Sequence, residues 1–177
     1  MKKNEIYSLI IRYLLLLLLG LFNLKVIYTV FTPLTVYLSY YIISLFDNTA
    51  RLVNNTISLS NIDIVIISAC VGGAAYYLLL ILNLSTSMEI KKRVYSLLFL
   101  ILSFFILNLV RISILSYLTL QGLSFMNSIH VISWHFGSTI MLIIIWLVNI
   151  KIFKIRTIPI YSDYMKIYRE IKEKNRN

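Results

Sequence analysis

The chain has one cysteine, two prolines, two histidines and seven acidic residues among its 177 positions. A single cysteine excludes an intrachain disulfide and any cysteine-cluster zinc or iron–sulfur site. The two histidines and the acids, most of them far apart, offer no metal-ligand spacing, so no metal and no cofactor is expected. Neither GxGxxG, Walker A nor HExxH occurs, and no internal repeat is evident. Charge is scarce as well, at 14%, where a soluble domain carries about a quarter.

Apolar residues fill the place of what is missing. They make up 59% of the chain, and the mean hydropathy is +0.84. Several runs approach the ~20 residues that cross a bilayer. The expected fold class is therefore all-α and polytopic, a single membrane-embedded domain over 1–150 with a basic tail over 151–177. The first run is expected to stay as a span, because more runs follow and no A-x-A-like site ends it. The net charge of +10 does not call for nucleic acid, since its basic residues cluster at the ends of apolar runs.

The runs cover Ile6 to Leu24, Val26 to Phe46, Cys70 to about Leu84, Val94 to Leu120 and Ile129 to Ile150. Arg12 lies inside the first but can snorkel to the near interface. Pro33 makes a straight helix over the second less natural. Between the second and third, "TISLSNIDIVI" alternates apolar and polar residues, with Ile57 and Leu59 on one arm and Ile62, Ile64 and Ile66 on the other. That pattern predicts a β-hairpin at about 56–67 leading into Cys70; a helix running into the next span is the alternative.

Lys2, Lys3, Lys91, Lys92, Arg93 and the eight basic residues of the tail are 13 of the 17 positive side chains. The positive-inside rule makes them cytoplasmic and turns the hairpin, Cys70 and the 121–128 turn outward. If 26–46 crossed fully, the N-terminus would land outside despite Lys2 and Lys3. Four transmembrane helices plus an interfacial or re-entrant, outward-lying helix at about 33–46 avoid that conflict; five spans are the alternative. The expected location is the plasma membrane, multi-pass.

Depth counting then aligns the unusual residues. About 20 residues forward from Lys91, at ~1.5 Å each, reach Arg111, and about 20 back from Lys151 reach the neighbourhood of His130. Cys70, opening its helix after the hairpin, lies at the same outer level, and His135 lies about 7 Å deeper. Each residue alone has a plain structural use: a small hydrophobe, a snorkelling cation, an interfacial imidazole. Together they describe thiol chemistry. A free thiol is only ~3% thiolate at neutral pH, and a helix N-terminus and a cation such as Arg111 favour the thiolate. His130, or alternatively His135, suits the acid that protonates a leaving amine. Arg111 or helix-terminal N–H groups suit the oxyanion. Asn108, one turn before Arg111, is placed to orient the guanidinium. Gly72 and Gly73 leave backbone open for a substrate chain.

"SACVGG" after an alternating hairpin, "NLVRI" in the next span and a histidine opening the last span resemble the exosortase/archaeosortase family, over roughly residues 30–150. "IPIYSDYMKIY" in the tail is similar to tails of its small archaeal members. The resemblance implies a membrane-embedded, sortase-like cysteine peptidase or transpeptidase. Carried over, Cys70 looks like the nucleophile, Arg111 like the essential arginine and His130 like the acid/base. The implied partners are exported proteins ending in a tripartite sorting signal: a short motif, one transmembrane helix and a basic end. They would be cut outside the cytoplasm and transferred to a membrane lipid, another acceptor or water. A non-enzymatic membrane subunit or small transporter is the alternative, and for it a Cys70→Ser exchange would be silent.

Overall fold

A computed structural model of the protein describes residues 3–22, 24–59, 62–122, 132–155 and, in the tail, 157, 159, 161, 164, 165, 168 and 172; the side chains of residues 3–6, Trp134 and His135 are outside that description. The described chain is mostly helical, with one small sheet. In order it forms α1 (Lys3–Leu21), α2 (Lys25–Ser44), β1 (Arg51–Val53), β2 (Thr56–Ser58), β3 (Asp63–Val65), α3 (Ser68–Val71), α4 (Gly73–Leu84), α5 (Ile90–Leu120), a π-helical turn (Ser133–Gly137) and α6 (Ser138–Ile152).

Two of these helices, α2 and α5, are long and apolar enough to cross a membrane. The outer face of α5 carries Val94, Leu98, Leu102, Ile106, Val110 and Ile114, all exposed. Their four-residue spacing draws an apolar stripe along one side of the helix, left exposed by the described residues. The inner faces make two cores. Ile27, Tyr76, Leu79, Leu100, Phe104, Leu142 and Ile145 join α2, α4, α5 and α6. Tyr76 is held there between Phe31, stacked at 4.1 Å, and Phe104, edge-on at 4.8 Å. Val36, Ile43, Ile57, Leu59, Ile66 and Val71 form the second core and seat the sheet on α2.

The helix expected at 33–46 is the far part of a continuous helix that starts at Lys25. Pro33 does not break it: proline removes one N–H from the ladder, and the rest of a 20-residue helix carries on past it. Contacts also give its direction. Arg12 of α1 donates to Leu84 O at 2.8 Å, and Leu16 O accepts from the Tyr77 hydroxyl at 2.9 Å. Along α2, Phe31 meets Tyr76, and Phe46 meets Tyr117 near the far end of α5 at 5.9 Å. Both helices thus advance from the 84–93 end of the bundle toward the sheet, joined by a tight turn in which Leu24 is left-handed at φ 56. The start of α1 and the basic 91–93 cluster therefore lie at the same end of the bundle.

That end is tied by two arginines. Arg93 donates to Asn83 O at 2.8 Å and Thr86 O at 2.9 Å, while Arg12 shares Leu84 O. Both guanidiniums donate to Leu84 O, a carbonyl at the helix end that has no onward helical N–H. Just inside, Asn83 donates to Ser96 at 2.8 Å and Ser96 to Asn149 at 2.9 Å, linking α4, α5 and α6 through fully buried side chains.

The sheet at the other end has three antiparallel strands, not two. β2 and β3 pair through Ile57 and Ile64, as the alternation predicts. β1 adds Leu52 opposite Ile57, across a two-residue loop, Asn54-Asn55. Asn54 is left-handed at φ 55, a conformation that asparagine tolerates better than most residues.

Candidate active site

β3 leads directly to the cysteine. Ile66 N–H donates to Asn55 O at 2.9 Å, which anchors the strand's exit, and Ile67 is still extended. The chain then makes the single turn α3, in which Cys70 N–H donates to Ile67 O at 2.9 Å and Gly72 N–H to Ser68 O at 3.3 Å. Gly72 closes the turn at φ 77, and α4 restarts at Gly73. Cys70 therefore does not open a long helix, which corrects the sequence-based expectation. Its own N–H is spent inside the turn, as is that of Gly72, so neither is free to hold an oxyanion.

The two glycines also differ from expectation. A Cβ on Gly72 would lie 3.1 Å from the Phe104 ring, and one on Gly73 would lie 2.5 Å from the Tyr28 ring. Their bare backbone accommodates aromatic side chains of α5 and α2. The glycines thus serve close packing of the cysteine turn.

Asn108 holds the same turn from α5. It is 1% exposed and donates through Nδ2 to Cys70 O at 2.8 Å and more weakly to Val71 O at 3.4 Å. The expected role of orienting Arg111 is not what its amide does: the residue fixes the backbone of the cysteine. Arg111, one turn further along α5, donates through Nη1 to the Ser138 hydroxyl at the start of α6. Its Nε is buried and has no hydrogen-bond partner among the described residues.

Cys70 and Arg111 come together. Both line one cavity of ≈ 430 Å³, walled by residues 62–67 of the β3 segment and by Ile112, Leu115, Ser116 and Thr119 of α5. The thiol is free and half-buried, and it lines the same cavity as the guanidinium. A cavity of this size, mostly apolar with a few convergent polar groups, is typical of a ligand site.

His130 lies outside the described residues, and so does the side chain of His135. The backbone of His135 is in the π-helical turn, three residues before Ser138. Such turns insert an extra residue into a helix and recur at functional sites. Ser138 itself was not legible in the sequence. A serine three residues past a histidine in an apolar run carries no signal until its partner across the bundle is known. Compared with known proteins, the chain matches no family model, no curated protein and no solved structure.

Proposed function

We propose that the chain is a multi-pass membrane cysteine peptidase or transpeptidase of the exosortase/archaeosortase kind, working at the sheet end of the bundle. The observation that carries this reading is the shared cavity, lined by both the only thiol of the chain and the half-buried Arg111. An arginine with an unused N–H inside an apolar bundle is costly unless it serves a function.

In this reading α1 and α2 together make one pass, α3 with α4 a second, α5 a third and α6 a fourth. Arg12, Lys92, Arg93, Lys151 and Lys154 then gather at one end, where Lys92 Nζ reaches Lys154 O at 3.4 Å. The positive-inside rule makes that end cytoplasmic and the cavity extracytoplasmic. Exported proteins with a C-terminal motif, one transmembrane helix and a basic end would present their cleavage site there.

The chemistry follows from the groups present. The Cys70 thiolate attacks the scissile carbonyl, forming an S–C bond and pushing the electron pair onto oxygen. Arg111 stabilises that oxyanion, the role left open once the turn's own N–H groups are spent. The C–N bond breaks, the leaving amine takes a proton from His130 or His135, and a thioester remains. An amine-bearing lipid or water then attacks the thioester and restores the thiol. Ser138 and Asn108 are positioning residues, one for the guanidinium and the other for the cysteine backbone.

The test uses a tagged exported protein from the same genome that ends in such a signal. Cys70→Ala and Cys70→Ser are expected to abolish its shortening while the membrane protein still accumulates. Normal shortening by both variants would contradict the thiol mechanism and favour a non-enzymatic membrane subunit or small transporter.

A further inference from the structure

Among the described residues, the sheet beside Cys70 ends on an open edge. Strand order β1-β2-β3 gives β3 a neighbour on one side only. The ladder fixes where its backbone points. Leu59 N–H donates to Ile62 O and Ile66 N–H to Asn55 O, each at 2.9 Å, so residues 62, 64 and 66 turn their backbone groups toward β2. By the alternation of an antiparallel ladder, Asp63 and Val65 turn theirs outward. No described strand lies beside them. The same segment, 62–67, is a wall of the cavity that holds Cys70 and Arg111.

We infer that an extended stretch of the exported polypeptide adds to this sheet as a fourth strand along β3. Its backbone pairs with the N–H and C=O groups of Asp63 and Val65, and its scissile carbonyl is carried forward to Cys70. The inference rests on the peptidase reading and says how that site grips its substrate. A peptide bond inside a helix is shielded by its own ladder, so a cleavage site next to a transmembrane segment must be held extended to be attacked. Strand addition does this through backbone bonds common to every sequence, while alternate side chains enter pockets that select among sequences. Here those side chains meet Ile64, Ile112 and Leu115, with the Ser116 and Thr119 hydroxyls beside them. The edge is only three residues long and carries the exposed Asp63 carboxylate, features that keep an open strand from pairing indiscriminately. Occupancy then depends on a segment that also fills the cavity.

Val65→Pro removes one outward N–H and leaves the ladder to β2 intact, the one kind of strand position that tolerates proline. Its shortening of the tagged exported protein is expected to fall at least tenfold below that of Val65→Ala, which keeps the N–H. Alkylation of Cys70 by iodoacetamide, which needs no strand pairing, is expected to stay within twofold. Equal processing by Val65→Pro and Val65→Ala would overturn the inference and leave the peptidase reading standing. Processing by Cys70→Ala would overturn that reading instead. If Val65→Pro does not accumulate, the wild-type enzyme gives the answer through a proline scan of the reporter's cleavage segment, each position compared with alanine. Losses at every second position support strand addition, and losses without that alternation overturn it.

Discussion

Replacing Asn108 by alanine separates positioning from folding. Its Nδ2 supplies the 2.8 Å bond to Cys70 O and the 3.4 Å bond to Val71 O, both inside the bundle. Polar links between helices in a membrane average ~0.6 kcal/mol and reach ~1.7, and a carbonyl left without a donor costs about 1–3 kcal/mol. Asn108→Ala should therefore lower stability by roughly 1–2 kcal/mol, which a helical bundle survives. Catalysis should suffer more. A reacting group displaced by about 1 Å loses on the order of 100-fold in rate, equivalent to ~2.7 kcal/mol of barrier. Asn108→Asp keeps the shape but turns an acceptor toward two carbonyls, and should be worse than alanine on both counts. The assay is processing of the tagged exported protein by membranes of each variant, alongside thermal unfolding in detergent. Processing by Asn108→Ala within twofold of wild type would refute the claim that Asn108 positions the nucleophile.

Other consequences are specific to single contacts. Ser138→Ala removes the hydroxyl that holds Arg111; it should lower kcat with little change in KM, and Ser138→Thr should restore most of the loss, whereas equal loss in both would deny the positioning role. Gly73→Ala drives a Cβ to 2.5 Å from the Tyr28 ring and should destabilise by roughly 1–3 kcal/mol. Adding Tyr28→Ala should recover part of that in thermal unfolding, and simple additivity of the two would contradict the packing. Arg93→Ala strips donors from the carbonyls of Asn83, Leu84 and Thr86 at the opposite end. It should lower the melting temperature while leaving Cys70 alkylation unchanged.

Local patterns in the chain were readable where the physics is local. Alternation marked β2 and β3, and residue counting at helical rise put Arg111 at the level of Cys70, with which it shares a cavity. β1 was hidden because Arg51–Val53 is three residues long and sits between polar loops. The helix predicted to start at Cys70 is split by a left-handed glycine, and nothing in "SACVGGAA" distinguishes that from a glycine in a helix. The partners of Gly72 and Gly73 come from Phe104 and Tyr28, far away in sequence. Helical spacing placed Asn108 and Arg111 on one face, yet the amide bonds across to another helix, which spacing cannot reveal. The sense of α1 relative to α2 depends on the left-handed Leu24, a residue type that seldom takes that conformation.

The central claim is that Cys70 carries the cleaved polypeptide as a thioester beside Arg111. It is tested most directly by intact-mass analysis of enzyme quenched with acid during turnover of the tagged exported protein. The account predicts a fraction of the chain heavier by the mass of the N-terminal product, attached at Cys70 and released by neutral hydroxylamine. In Arg111→Ala that adduct should be absent, because its formation needs the oxyanion donor. Processing that proceeds in wild type with no adduct at Cys70, or unchanged adduct formation in Arg111→Ala, would contradict it.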